Sequence, residues 1–200
     1  MQAQAFEIDT GPNVTTSLES VAEFTSVYRT SSPERIERGG QNIFANNNDG
    51  SEYYDTGFVS NEFKLTSELH VRTEQDGLFV RGTAWYDTQI MDNDPSGDRF
   101  ATHNTDSDER YPSDLRNRAG HRARLLDAYL YTNRYAGEMP YSLRFGRQVI
   151  NWGEGIFYRG GINTTNPIDA AKFRLPGSEL KEVLVPVEAI NFNIGLTDNL

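Results

Sequence analysis

Apolar residues recur at one parity in six stretches of this 200-residue chain, the period of a strand with an apolar face. Over residues 14–28, Val14, Leu18, Ala22, Phe24 and Tyr28 share one parity and Thr15, Ser17, Glu19, Glu23 and Thr25 the other. The clearest run is 58–73, with Val59, Phe63, Leu65, Leu69 and Val71 against Ser60, Glu62, Lys64, Glu68, His70 and Arg72. Glu74-Gln75-Asp76-Gly77 is a tight-turn signal. Residues 78–90 then return, with Leu78, Val80, Ala84, Tyr86 and Ile90 against Arg81, Thr83, Asp87 and Gln89. Leu126, Ala128 and Leu130 mark a strand over 123–135, and Gly137-Glu138-Met139-Pro140 turns it into 141–152. There Leu143, Phe145 and Val149 alternate with Arg144, Gly146 and Gln148. The last strand, 187–196, sets Ile190, Phe192, Ile194 and Leu196 against Ala189, Asn191, Asn193 and Gly195.

The connections matter more than any one strand. The polar stretches 29–57 and 91–120 read as long loops, 153–186 is a long insert, and the links between successive strands run long, short, long, short, long. Thr197-Asp198-Asn199 reads as the next short turn. Short turns on one side and long loops on the other are the rhythm of an up-and-down outer-membrane barrel. A soluble β-sandwich also alternates but does not require that rhythm, so the pattern favours the barrel and leaves the sandwich open. Aromatics stand at the strand ends (Tyr28, Phe58, Tyr86, Tyr135, Tyr141 and Trp152) as a candidate interfacial girdle. Six strands fall short of the roughly eight that close a membrane barrel. Open edges would leave backbone groups unpaired in lipid. The fold expected is therefore all-β, the N-terminal part of an antiparallel up-and-down transmembrane β-barrel that does not close on its own.

Composition narrows the function. A net charge of −10 argues against phosphate neutralisation, hence against nucleic acid as a partner. The absence of cysteine excludes a disulfide scaffold and a thiolate metal site. No apolar run is long enough for a transmembrane helix. Ala3-Gln4-Ala5 has the small-x-small form of a signal-peptidase site, so residues 1–5 read as a start joined to a cleavage remnant.

The insert holds most of the candidate chemistry. Asn166-Pro167-Ile168-Asp169 predicts a short helix, with Asn166 as N-cap and Pro167 at the first helical position. Arg147, Glu154, Asp169, Lys172, Arg174, Glu179, Lys181 and Glu182 mix both charge signs. The four acids alone suggest a paired-carboxylate glycosidase. The balanced charges point instead to internal ion pairs holding a lumen plug or constriction and setting a field for a permeant. Asp92, Asp94 and Asp98 begin a weak calcium-loop pattern, with Gly97 at the sixth position but His103 where the bidentate Glu belongs. A solvated acidic loop is the simpler reading. His70, His103 and His121 lack metal spacing, and neither a nucleophile elbow nor a phosphate-binding glycine loop is present. No enzyme activity, metal or other cofactor is expected.

Certain runs are more specific: Leu143-Arg144-Phe145-Gly146-Arg147-Gln148-Val149, Asn151-Trp152-Gly153-Glu154 and Gly161-Ile162-Asn163. They continue with Asn166-Pro167-Ile168-Asp169, Lys172-Phe173-Arg174 and Pro176-Gly177-Ser178-Glu179-Leu180-Lys181-Glu182, then Leu196-Thr197-Asp198-Asn199-Leu200. With weaker echoes over 81–87 and 125–129, the chain resembles a large proteobacterial outer-membrane family. It is known mainly by a "domain of unknown function" label, numbered thirteen-oh-two. The resemblance implies a secreted precursor and an outer-membrane barrel. It also implies transport of lipids or other hydrophobic compounds, beside inner-membrane exporters of the RND type or a periplasmic lipid carrier. It supplies no substrate and no catalytic residues. Two alternatives stand beside a channel: a surface adhesion or binding barrel working through loops 29–57 and 91–120, and a soluble secreted β-sandwich that binds or processes carbohydrate.

Overall fold

The structure is a computed structural model that describes residues 2–9, 11, 13–32, 37–38, 41–42, 56–93, 111, 113–150, 165–170 and 183–196. The described strands are β1 (Gln2–Asp9), β2 (Thr15–Arg29), β3 (Glu37–Arg38), β4 (Gln41–Asn42), β5 (Gly57–Arg72) and β6 (Asp76–Asp87), followed by β7 (His121–Ala136), β8 (Met139–Gln148) and β9 (Val187–Ile194). Seven of them form one sheet in the order β1-β2-β5-β6-β7-β8-β9, while β3 and β4 pair only with each other. Apart from β3 and β4, which come between β2 and β5 in the chain, sheet order follows chain order, as in an antiparallel up-and-down meander. The all-β expectation holds, and the six expected strands are joined by β1. Among the described residues no helix is long and apolar enough to cross a membrane, a statement that leaves strands aside.

The chain divides into two compact units. Unit 1 comprises Met1–Ala22, Leu65–Thr83 and Ala123–Leu200; unit 2 comprises Glu23–Lys64 and Ala84–Arg122.

In unit 1, β7 and β8 form a hairpin whose pairing runs from Ala136↔Met139 to Ala128↔Arg147. The two-residue turn between them places Gly137 at φ 69, a conformation that a Cβ disfavours and glycine permits. β9 pairs along β8 from Tyr141↔Ile194 to Gln148↔Val187. The β5–β6 turn is closed by Thr73, whose N donates to the Asp76 carbonyl at 2.8 Å and whose Oγ1 accepts from Asp76 N at 3.0 Å. β1 pairs with the start of β2, from Asp9↔Thr15 to Gln2↔Ala22. Sequence alternation did not reveal β1 because Ala3, Ala5 and Gln4 offer no contrast of apolar and polar parity.

Exposure follows parity. Leu65, Leu130, Phe145, Ile190 and Phe192 are all large, apolar and exposed, while Thr66, Arg81, Thr83, Asp127 and Gln148 are buried. Alternation fails at one place in β7. Leu126 is buried and does not share the exposed face with Leu130 as its parity predicts. Leu126 and Asp127 are buried in succession, so neither side of β7 is open to solvent at this level.

The insert is described only at residues 165–170 and 183–186. Here the structure corrects the expected helix start. Ile168 and Leu184 make an antiparallel bridge, flanked by Asp169 N to the Val183 carbonyl and Val185 N to the Pro167 carbonyl, both at 2.8 Å. The Asn166 side chain does not cap. It accepts from Ile150 N at 2.9 Å and donates to the Gln148 carbonyl at 3.3 Å and the Val185 carbonyl at 2.9 Å. Three distant backbone groups near the β8 and β9 ends outbid one local cap, because leaving them buried and unpaired would cost more.

In unit 2, the strand expected to run to Ile90 stops at Asp87. Asp87 caps the short helix Thr88–Asp92, its Oδ1 accepting from Gln89 N at 2.8 Å and Ile90 N at 3.4 Å. Ile90 is accordingly buried rather than exposed on a strand face. This helix packs on the π-turn Arg116–Gly120, where a Cβ on Gly120 would enter the Met91 and Ile90 side chains. Asp87 also accepts from Ser60 Oγ at 2.5 Å and from Asn61 N at 3.1 Å. Trp85 Nε1 donates to the Ala119 carbonyl at 3.1 Å. Parts of the two expected long loops are thus structured.

Candidate functional site

The polar face of unit 1 is organised in layers. Antiparallel pairing brings rising numbers on β5 opposite falling numbers on β6, so Thr66, Glu68 and His70 meet Thr83, Arg81 and Phe79. Thr66 and Thr83 share a hydrogen bond of 3.1 Å between their hydroxyls. In the next layer Arg81 donates through Nη2 to Asp127 Oδ2 of β7 at 2.5 Å, and its Nη1 lies 3.8 Å from Glu68 Oε1. Arg81 and Asp127 are buried, so this pair lies where water screens charge weakly. Two carboxylates thus share one guanidinium. Asp127 Oδ1 also accepts from Val149 N at 3.2 Å, tying β7 to the chain just beyond β8.

The third layer is aromatic and closes on itself. His70 and Phe79 lie edge-on at 5.9 Å, Phe79 and Tyr129 at 5.3 Å, Tyr129 and Tyr131 at 6.4 Å, and Tyr131 and His70 at 5.7 Å. Tyr131 Oη and His70 Nε2 share a hydrogen bond of 2.7 Å. The Tyr131 ring reaches His70 across β6 because Gly77 has no side chain; a Cβ there would overlap the ring. Arg144 of β8, the register partner of Tyr131, places its Cζ 5.5 Å from the Tyr129 ring centroid.

A groove of about 440 Å³ opens near the β5–β6 turn, lined by Val71, Leu78, Leu130, Leu143 and Phe145 with Asp76 and Thr132 at its polar end. Its lining is mostly apolar. Beside it, at the turn, Arg134 Nη2 and Asp76 Oδ2 form an exposed ion pair at 2.9 Å. The Thr132 hydroxyl, with Arg134 adding to it, holds the Asp76 carboxyl below its usual range.

The expected insert network is described at two of its eight residues. Asp169 pairs with Arg124 of β7, Nη1 to Oδ2 at 3.0 Å. Arg147 donates from Nε to the Leu126 carbonyl at 3.1 Å. Arg147 lies at the parity of Leu143 and Phe145 and opposite Glu188 of β9 in register, so it shares the parity of the apolar face. Glu154, Lys172, Arg174, Glu179, Lys181 and Glu182 lie outside the described residues.

Of the strand-end aromatics, Tyr28, Phe58, Tyr86 and Tyr135 are exposed, and Tyr28 and Phe58 meet edge-on at 5.1 Å. Tyr141 stacks at 6.1 Å on Phe192, and Trp152 lies outside the described residues. Of the calcium candidates, Asp92 accepts from Tyr86 Oη at 2.8 Å, while Asp94 and Asp98 are not described. Among the described residues no group of three acidic or histidine side chains could hold a metal ion.

Alternation put Glu68, Arg81 and His70 on the polar face but could not pair them. Asp127, Tyr129, Tyr131 and Phe79 went unnoticed as site residues. Their signal was present: Phe79 falls at the parity of Arg81, and Tyr129 and Tyr131 at that of Asp127. Aromatics in register with charges, opposite an apolar face, need a reason other than core formation.

The model of the family described as protein of unknown function (DUF1302) matches residues 1–200, and the chain belongs to this family. No curated protein matches it. No solved structure matches it either.

Proposed function

We propose that this chain forms wall strands of an outer-membrane β-barrel that acts as a transport channel for lipids or other hydrophobic compounds. One observation carries the reading: the sheet is inverted relative to a water-soluble protein. Its large apolar side chains, Phe63, Leu65, Leu130, Phe145, Ile190 and Phe192 among them, are exposed, while Arg81, Asp87, Asp127 and Gln148 are buried. Lipid solvates an apolar outer face, and a water-filled or protein-filled interior takes a polar inner one. Strands of 12 to 16 residues, as in β5, β6 and β7, exceed the roughly 9–11 needed to cross tilted. The exposed aromatics at strand ends suit the interfacial girdle.

The residues of the polar face would line the lumen. No enzyme activity is proposed, and the partners consistent with the family are outer-membrane lipid and an RND-type inner-membrane exporter or periplasmic lipid carrier. The insert, anchored by Asn166 and by the Arg124–Asp169 pair at the β7–β9 wall, is the candidate constriction.

The test is the behaviour of the full-length protein in plain buffer and in detergent, followed by circular dichroism and size exclusion, then solute release from liposomes. The reading expects β structure in detergent only, and release that depends on the protein. A compact, cooperatively melting monomer in plain buffer would replace the channel with the soluble carbohydrate-binding reading. Detergent-dependent folding without release would move function to the external loops.

A further inference from the structure

We infer that the His70–Phe79–Tyr129–Tyr131 quartet together with Arg144 is a recognition site for aromatic carboxylates. The inference deepens the channel reading and rests on its placing of this face in the lumen.

An outer face already carries the hydrophobic surface a barrel needs, so aromatics on the inner face are not spent on lipid. Here four rings gather within 5.3 to 6.4 Å of their neighbours, on three adjacent strands. Flat ligands bind such platforms by stacking, because ring quadrupoles favour offset and tilted contacts. A cation stands over the platform. Arg144 is exposed, lies over Tyr129 and makes no ion pair with a described carboxylate. Acids stand beside the platform, since Asp127 precedes Tyr129 by two positions on β7 and is bound to Arg81 together with Glu68. Arg81 is thereby committed, and Arg144 is the cation open to a ligand.

Tyr129, over which Arg144 lies, is two residues from Asp127, about 7 Å at a strand's rise. A ligand with a flat aromatic body and a terminal carboxylate would stack on the quartet. Its carboxylate would be drawn to the Arg144 guanidinium, the cation not engaged by Asp127 and Glu68. A neutral analogue would keep the stacking and lose the orientation.

The test uses the full-length protein in a neutral detergent, with 2-naphthoate as the probe and 2-naphthalenemethanol as its uncharged counterpart, both followed by titration calorimetry. The expected result is tighter binding of naphthoate, weakened about tenfold by Arg144→Gln, as loss of a charge-assisted contact implies. Naphthalenemethanol should bind both proteins alike. Arg134→Gln, which removes an exposed guanidinium already paired with Asp76, should leave naphthoate binding unchanged. Equal naphthoate binding by wild type and Arg144→Gln overturns the site, as does an equal loss in Arg134→Gln or equal affinity for the neutral analogue. Release of a small sugar from liposomes separates the two readings. Arg144-dependent binding without release sinks the channel and keeps the site, whereas release without such binding sinks only the site.

Discussion

On one face of the β7–β8 hairpin Leu130 stands opposite Phe145, 57 and 60% exposed, and neither needs a directional partner. On the other face Asp127 is 4% exposed and grips Arg81, which also reaches toward Glu68. The same strands supply both. The apolar face is interchangeable and is held by what solvates it. The polar face is specific, since buried Asp127 depends on one named cation, Arg81. Substitutions on the two faces should therefore fail for different reasons and in different solvents.

The sharpest break comes from the ionic layer. Arg81→Ala leaves the Asp127 carboxylate buried beside Glu68 without its cation, which costs about 3 kcal/mol. Urea unfolding of the detergent-folded protein should show it. The double change Arg81→Met with Asp127→Leu should recover most of the loss, because removing both charges removes the desolvation problem. A single variant as stable as wild type would mean that water reaches this layer freely.

A middle-sized effect sharpens the contrast through solvent. Phe145→Lys places an ammonium on the apolar face and should cost about 2 kcal/mol in lipid vesicles, depending on depth. The same change on a water-facing strand falls within about 0.5 kcal/mol. Unaltered unfolding of Phe145→Lys in vesicles would place that face in water.

The smallest effect belongs to the turn, outside both faces. Asp76 has a lowered folded pKa, so its ionised form is favoured by folding. That stabilisation is present above the ordinary carboxylate value of about 4 and fades as pH falls through the lower folded value. The stability gap between wild type and Asp76→Asn should therefore shrink below about pH 4. A gap that stays constant down to pH 2 would detach Asp76 from Thr132 and Arg134.

Much of this fold was legible from parity. Val59, Phe63 and Leu65 announced β5 because burial or exposure of a strand face repeats every two residues, a rule that needs no knowledge of neighbours. The breaks were not legible for the same reason. Asp87 reads as one more polar strand residue until its carboxylate is seen capping Gln89 and Ile90. Asn166-Pro167 reads as a helix start until Asn166 is seen holding Ile150, Gln148 and Val185. In both cases the deciding partner is a backbone group whose availability depends on the chain's path. The site divides the same way: residue types on the polar face were visible, and their pairing was not.

The sequence by itself determined six of the seven strands of the main sheet, their up-and-down order and the alternation of short and long connections. These follow from local periodicity and turn chemistry, which act within a few residues. Only the tertiary structure decided the register. Register chose Asp127 for Arg81, laid Tyr131 across Gly77 to reach His70, and brought Arg144 over Tyr129. Charge pairing and ring stacking fall off within a few ångströms, so these contacts exist only once strands far apart in sequence lie side by side.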